Sequence, residues 1–340
     1  MKAVRFHAHG GPEVLRYEDA AAPEPRPGDA VVRVRATALN HLDIFQRRGI
    51  ERVRIPFPHI SGADVAGEVV DAPDGAVAAG TRVMLQPGLS CGRCARCLDG
   101  RDNECPRYDV LGYQSDGGYA EYVRVPVRNL IPIPDAIGFV EASAFPLTFL
   151  TAWHMLLTRA RMLSGDTVLV LGAGSGVGQA AIQIACLHGA RVIATGGTEE
   201  KLARARALGA HEAVNHSTDD LAAAARRLTA GRGVDIVVEH VGTATWERSV
   251  RSLARGGRLV TCGATTGHDA GIDLRFLFSR QLSLLGSYMG GKGELLRAAE
   301  FFFNGALMPV VDRVYPLADA AEAHRRLEAR EGFGKIVLTV

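Results

Sequence analysis

Residues 167–201 constrain this chain more than any other stretch. Thr167-Val-Leu-Val-Leu-Gly-Ala-Gly-Ser-Gly-Val-Gly-Gln179 opens with an apolar run, 168–171, that lacks polar alternation and so reads as a strand buried on both faces. Gly172, Gly174, Gly176 and Gly178 follow at alternate positions. Val177, Ala181, Ile182, Ile184 and Ala185 then recur at helical spacing up to Gly189. Residues 191–195 read as a second strand. Strand, glycine turn, helix, strand is the unit that binds dinucleotides. Its turn lets the backbone of Gly172 to Gly178, with Ser175 and Val177, approach a pyrophosphate, and the helix amino end offers unpaired N–H groups and a positive dipole.

The glycine spacing departs from the strict G-x-G-x-x-G, so a glycine-rich turn in a nucleotide-free α/β protein is the competing reading. The tip of the second strand says which dinucleotide to expect. About 20 residues beyond the glycines, an NAD site places Asp or Glu on the ribose 2′-hydroxyl. This chain has Gly196-Gly197-Thr198, then Glu199, Glu200 and Lys201. Without that acid a 2′-phosphate meets no repulsion, while Thr198 and Lys201 supply a hydroxyl and a positive charge. The only lysines are Lys2, Lys201, Lys292 and Lys335, which makes Lys201 notable. Thr198 also reads as the cap of the next helix, with Glu199 and Glu200 complementing its dipole. The two roles are compatible, and the expected cofactor is NADP(H).

At 340 residues the chain is long for one core, so two domains are expected. A net charge of +2 gives no case for a nucleic-acid or membrane surface. No apolar run approaches the ~20 residues of a spanning helix, and Met1-Lys-Ala-Val-Arg-Phe-His-Ala-His9 holds no apolar signal core, so a cytoplasmic protein is expected.

Residues 1–130 read as short strands (1–6, 29–36, 66–71, 81–85, 119–125) broken by turns at 23–28, 73–75 and 116–118, a mainly β, barrel-like domain. Pro132-Ile-Pro134 is the linker candidate, and 137–163 reads as helix with a break near Pro146. Six strands counted from Val168 suit a doubly wound parallel sheet. The tail alternates helix 293–304, strand 310–315, helix 317–329 and strand 335–340, and is expected to fold back onto the first domain. The division is 1–134, 135–290 and 291–340.

Four of the six cysteines crowd into Cys91-Gly-Arg-Cys94-Ala-Arg-Cys97 and Cys105, a C-x2-C-x2-C-x7-C pattern. In a reducing compartment such clustering points to metal rather than disulfides. Four thiolates in a tight loop match closed tetrahedral zinc with no open position, hence one structural Zn2+ per chain. An iron–sulfur cluster shares the ligand type but uses another last spacing.

A dinucleotide unit in the carboxyl half, a small β domain before it and a four-cysteine loop inside that domain resemble the medium-chain dehydrogenase/reductase superfamily of zinc alcohol dehydrogenases and quinone oxidoreductases. The resemblance covers essentially the whole chain. It runs through Met1-Lys-Ala-Val, Gly62-Ala-Asp-Val-Ala-Gly-Glu-Val69, Gly80-Thr-Arg-Val83, Gly117-Gly-Tyr-Ala-Glu-Tyr122, 172–178 and Phe333-Gly-Lys-Ile-Val337. It implies a GroES-like catalytic domain completed by the tail, a Rossmann domain between, a cleft joining them, and a homodimer or homotetramer. It also implies cofactor contacts at Val241, at Gly263, Ala264 and Thr265, at Gly286, Ser287 and Tyr288, and at Lys335. His216 aligns with a position where NADPH-dependent relatives contact the adenosine phosphate. His240 ends a strand, where ligands gather in such sheets.

The catalytic zinc ligands of the resembled alcohol dehydrogenases do not carry over. The cysteine of their C-x-x-D stretch is matched by Asn40 in Asn40-His-Leu-Asp43. The histidine of Gly-His-Glu is matched by Ala63, the third ligand by Leu147, and the relay hydroxyl by Leu42. An amide, a methyl and an isobutyl group cannot hold Zn2+ against water. Metal-free members of the superfamily are mostly NADPH-dependent quinone or enone reductases, in which the developing charge on a carbonyl oxygen needs only hydrogen-bond donors. On that resemblance Asn40 orients the substrate carbonyl and Asp43 anchors its loop. Some relatives carry a tyrosine where Phe45 stands, so solvent, His41 or Thr148 would supply the proton. His41 also fits a contact with the cofactor pyrophosphate. The leading expectation is an NADPH-dependent reductase of quinones or α,β-unsaturated carbonyls. The competing ones are a zinc alcohol dehydrogenase using His41, Asp43, His59 or Asp64, and a non-catalytic NADPH-binding sensor or structural protein.

Overall fold

The computed structural model describes residues 1–51, 53–73 and 77–340. The turn expected at 73–75 therefore falls largely outside the described residues. The chain forms two compact units, Met1–Leu147 with Gly291–Val340, and Thr148–Gly290.

In the first unit the chain runs through β1 (Lys2–Arg5), β2 (Arg16–Asp19), β3 (Asp29–Ala38), α1 (His41–Arg48), β4 (Asp64–Asp71) and β5 (Arg82–Leu85). It continues with β6 (Gly88–Leu89), α2 (Ala95–Leu98), β7 (Asp109–Val110), β8 (Tyr122–Pro126), β9 (Leu130–Pro132) and α3 (Phe139–Ala144). Then α4 (Pro146–Trp153) runs into a π-helical turn, His154–Arg159. The second unit holds β10 (Thr167–Val170), α5 (Gly176–Leu187), β11 (Arg191–Gly196), α6 (Glu199–Ala207), β12 (Glu212–Asn215) and α7 (Leu221–Leu228). It ends with β13 (Val234–Glu239), α8 (Trp246–Ser252), β14 (Leu253–Thr261), α9 (Leu274–Ser279) and β15 (Ser283–Gly286). The tail adds α10 (Lys292–Phe303), β16 (Val311–Pro316), α11 (Ala320–Ala329) and β17 (Lys335–Thr339).

The first unit is organised on one sheet ordered β16-β17-β3-β4-β5-β9, with β8 also paired to β3. Valines and leucines at alternate positions of these strands (Val32, Val34, Val65, Val69, Val83, Leu85, Val123, Val125) close a core on one face. Tail strand β17 pairs antiparallel with β3, matching Val337 to Ala38 and Thr339 to Ala36. That pairing makes the last 50 residues part of this unit. The structure moves the boundary set at 134 to Leu147, because α3 packs on Ala36, Ala38 and Val337 through Phe139, Val140 and Ala144. A second departure is α1, in a region read as strands and turns. Eight residues suffice for a helix there because Ile44, Gln46 and Arg47 bury one face and Asp43 accepts from the Asn40 N–H at 2.7 Å.

In the second unit six parallel strands are ordered β12-β11-β10-β13-β14-β15. The chain leaves β10 in one direction through β11 and β12, then returns to place β13 on the other side of β10. The strand order therefore reverses between β10 and β13, and in such sheets ligands lie at the carboxyl ends of the strands at that reversal. Val168, Leu169 and Val170 are fully buried, as expected for a central parallel strand. Among the described residues no helix is long and apolar enough to cross a membrane.

Candidate active site and metal centre

The four-cysteine loop lies between β6 and β7, which pair antiparallel and hold its two ends together. The Sγ atoms of Cys91, Cys94, Cys97 and Cys105 all lie within 4.8 Å of one another. Those of Cys94 and Cys97 are 3.5 Å apart, and those of Cys91 and Cys97 3.8 Å. Tetrahedral zinc with bonds of about 2.3 Å sets sulfur separations of about 3.8 Å, so the donor set fits a structural zinc. Backbone N–H groups already point at the sulfurs: Cys94 N donates to Cys91 Sγ, and Arg107 N to Cys105 Sγ. The Arg93 N–H, foremost, pulls the Cys91 thiol down to about 5. Cys94 is pushed up to about 11 despite the N–H of Cys97, because burial and three neighbouring sulfurs oppose another negative charge. A divalent cation removes that opposition.

The residues matched to the catalytic zinc ligands build something different. Lys335, on β17, is buried, and its Nζ donates three hydrogen bonds: to Leu39 O at 2.7 Å, Asn40 Oδ1 at 2.6 Å and Asp64 Oδ2 at 2.9 Å. An ammonium has three donors, so all are spent. Asp64 is fully buried and also accepts from Asn40 Nδ2 at 2.9 Å and from the Leu147 N–H at 2.8 Å. Ala63 and Leu147 offer no side-chain donor atom. The Asn40 oxygen that a metal would need faces an ammonium. These residues do not fit a catalytic metal ion.

Below Asn40 runs a second buried chain. Asp43 Oδ2 accepts from the Asn40 N–H and, at 3.0 Å, from Tyr119 OH. Because that hydroxyl donates to Asp43, His324 Nε2, 3.3 Å away, is the donor to Tyr119. Burial raises the Asp43 carboxyl to about 6, and burial with the nearby Arg47 drives His324 down to about 3. Arg47 is itself fully buried and ion-paired with Glu328. His41 is half-buried beside Phe45, with ring centroids 6.2 Å apart, and Thr148 is buried at the start of the second unit. The fully buried His59 meets Gln46 Nε2 at 2.6 Å. The sequence signalled Asn40, Asp43 and Asp64. Tyr119 stood only within the 117–122 stretch of resemblance, with no role assigned, and His324 and Arg47 carried no signal, because only folding brings these segments under one loop.

In the second unit the expected dinucleotide residues gather at the carboxyl ends of the strands. Gly172 has φ +56°, and a Cβ on Gly178 would lie 2.2 Å from the Gly172 carbonyl oxygen, so both positions require glycine. Ser175 caps α5, its Oγ accepting from Gly178 N at 2.9 Å. At the next strand tip Thr198 caps α6, accepting from Lys201 N at 3.3 Å. Gly197 faces the β12 end: a Cβ there would sit 3.2 Å from His216 Nε2 and 3.4 Å from Ser217 Oγ. Glycine, Thr198, Lys201, His216 and Ser217 thus surround one strand tip, and Ser217 was not expected. On the other side of the reversal Val241 N donates to Glu239 Oε1, and Thr265 Oγ1 lies 3.4 Å from the Val241 carbonyl. Gly263 and Ala264 line a surface cavity of about 460 Å³ with Trp246 and Thr261. Gly286 ends β15, Ser287 N donates to Thr261 O, and Tyr288 is 54% exposed. Lys335 belongs to the Asn40–Asp64 cluster of the first unit.

Residues 176–304 match the zinc-binding dehydrogenase family, and residues 26–135 match the alcohol dehydrogenase GroES-like domain. A quinone oxidoreductase of Pongo abelii is 30% identical over 99% of this chain and 97% of its own. The chain is a medium-chain dehydrogenase/reductase. An NAD-dependent alcohol dehydrogenase of Sulfolobus acidocaldarius is 32% identical over the full length of both proteins. A crystal structure of an NAD-dependent alcohol dehydrogenase superposes with a TM-score of 0.97 at 50% identity, covering both chains completely. As a medium-chain dehydrogenase/reductase it is an oxidoreductase that binds a nicotinamide cofactor, with a GroES-like domain and a Rossmann sheet.

Proposed function

We propose that this medium-chain dehydrogenase/reductase is an NADPH-dependent reductase of quinones or α,β-unsaturated carbonyls that works without a catalytic metal. The observation that carries the reading is the Lys335 ammonium held between Asn40 Oδ1 and Asp64 Oδ2, where a zinc-dependent relative would need ligands. A bound nicotinamide would supply a hydride to the β-carbon of an enone, with the electron pair going to the carbonyl oxygen. Solvent, His41 or Thr148 would then give the α-carbon its proton. Asn40 is the residue for that oxygen: one Nδ2 hydrogen is spent on Asp64, while the other makes only a long 3.4 Å contact with Ala38 O. A substrate carbonyl can replace that contact at little cost. Asp43, bonded to the Asn40 N–H, holds the loop. The cysteine loop holds one structural zinc that takes no part in this chemistry, and the active form is a homodimer or homotetramer.

The cofactor reading rests on Gly197 in the acid's place, beside Thr198, Lys201, His216 and Ser217. Lys201→Ala should weaken NADPH binding several-fold and leave NADH nearly unchanged, because only NADPH carries the 2′-phosphate. Equal losses would make the lysine structural.

A second reading, an alcohol dehydrogenase, has support in the names of the Sulfolobus relative and of the 50% identical structure. NADPH oxidation against quinones, enones and aldehydes, with zinc counted per chain, separates the two. Turnover of quinones or enones with one zinc supports the reductase. Alcohol oxidation lost with a second, removable zinc supports the dehydrogenase, and silence throughout supports a non-catalytic NADPH binder.

A further inference from the structure

His240 follows β13 directly, at the reversal of strand order, and its imidazole reaches across to the turn after β10. Its Nε2 lies 2.9 Å from the Leu171 carbonyl oxygen and 3.3 Å from Ser175 Oγ. A carbonyl oxygen only accepts, so Nε2 carries the hydrogen and shares it between the two oxygens. Ser175 Oγ also accepts from the Gly178 N–H. A hydroxyl oxygen has two acceptor sites and one hydrogen. With both acceptor sites engaged by N–H donors, the Ser175 hydrogen is directed away from His240 and from α5, as a donor at the helix amino end. The fit is close: a Cβ on Gly172 would come within 3.1 Å of the His240 Cε1.

We propose that His240 is a positioning residue for the cofactor diphosphate, acting through Ser175 by fixing its hydroxyl as a donor toward that anion. The diphosphate is common to NADH and NADPH, so the proposal rests only on the dinucleotide-binding part of the functional reading. His240 supports the turn from the far side of the reversal, and no glycine fingerprint specifies such a contact.

The test is a double-variant cycle on the whole enzyme, reading dissociation constants of both NADPH and NADH by titration. His240→Phe should weaken the two dinucleotides by the same factor, about five- to tenfold, within the net worth of one hydrogen bond, because the variant disorders the Ser175 donor rather than removing it. The kcat at saturating cofactor should hold while KM for the cofactor rises. His240→Gln, which carries an amide N–H to a similar depth, should recover most of the affinity. In a Ser175→Ala background His240→Phe should cost almost nothing further. Should the phenylalanine variant fail to fold, as read by its thermal transition, His240→Ala takes its place in the cycle. Additive losses, a loss confined to one dinucleotide, or a glutamine variant as weak as phenylalanine would each overturn the proposal. Which dinucleotide binds tighter tests the NADPH reading separately.

Discussion

At the scale of single residues, Lys335 and Asp64 dominate the energetics of the candidate site. Their side chains are 3% and 0% exposed, so each charge depends on the other. Removing one partner of a buried pair leaves an uncompensated charge and costs about 3–5 kcal/mol, whereas removing both costs less. Lys335→Met should therefore lower the urea midpoint more than the Asp64→Asn/Lys335→Met double variant does. Additive effects would show that the two charges do not depend on each other. The chain beneath Asn40 makes a prediction about pH. His324, held near 3 when folded, favours the native state above its ordinary value of 6.5, and that contribution is lost as pH falls toward 3. Asp43, raised to about 6, acts oppositely: its contribution is full below 3.8 and is lost as pH rises through 6. Between pH 4 and 6 the two slopes oppose each other. His324→Phe removes one of them, so the stability of that variant should rise relative to wild type as pH falls from 6.5 to 4. A constant difference in denaturation midpoint across that range would contradict the assignment. Resemblance made Asn40 and Asp43 visible, through their match to the C-x-x-D stretch of zinc alcohol dehydrogenases. It assigned no role to Tyr119 or His324, which lie 76 and 281 residues after Asp43 along the chain and join its hydrogen-bonded chain only in the fold.

At the scale of elements, local patterns were legible wherever one periodicity dominated. The uninterrupted apolar run of β10, the helical spacing in α5 and the β-branched strands of the first unit all formed close to the expected residues. The helix α1 escaped because its signal is a cap and a few buried side chains within eight residues, too short for periodicity to register. The cysteine loop makes the element-scale prediction. Its residues have little apolar burial, only Cys105 among the four cysteines being buried, so a zinc held by the four thiolates would supply most of its order. Removing zinc with a strong chelator should abolish amide exchange protection across 88–110 while leaving β10 to β14 protected. Loss of protection throughout would mean that zinc supports the whole fold rather than one loop.

At the scale of the whole molecule, the division into units makes an asymmetric prediction. Residues 148–290 are contiguous and contain all six strands of the parallel sheet, so this fragment alone should unfold cooperatively and bind the dinucleotide. Residues 1–147 lack β16 and β17, and with them one flank of β3 and the Ile336 and Leu338 part of the core. That fragment should remain unfolded or aggregate, and circular dichroism with thermal melts checks both statements. What the sequence by itself determined was everything encoded in short-range spacing: a nucleotide-binding turn in which close backbone approach requires Gly178, a four-thiol loop, and the alternation that makes a parallel sheet. Such features depend on residues within about 20 positions of one another, where the chain's own geometry sets the outcome. Tertiary structure alone decided that a lysine near the carboxyl terminus stands against Asn40 and Asp64, and that α3 belongs to the first unit. It also brought the histidine that follows β13 against the turn after β10. Each is a contact between distant segments: the lysine and the histidine answer a buried polar group's need for a partner, α3 buries apolar side chains, and only the completed fold supplies either.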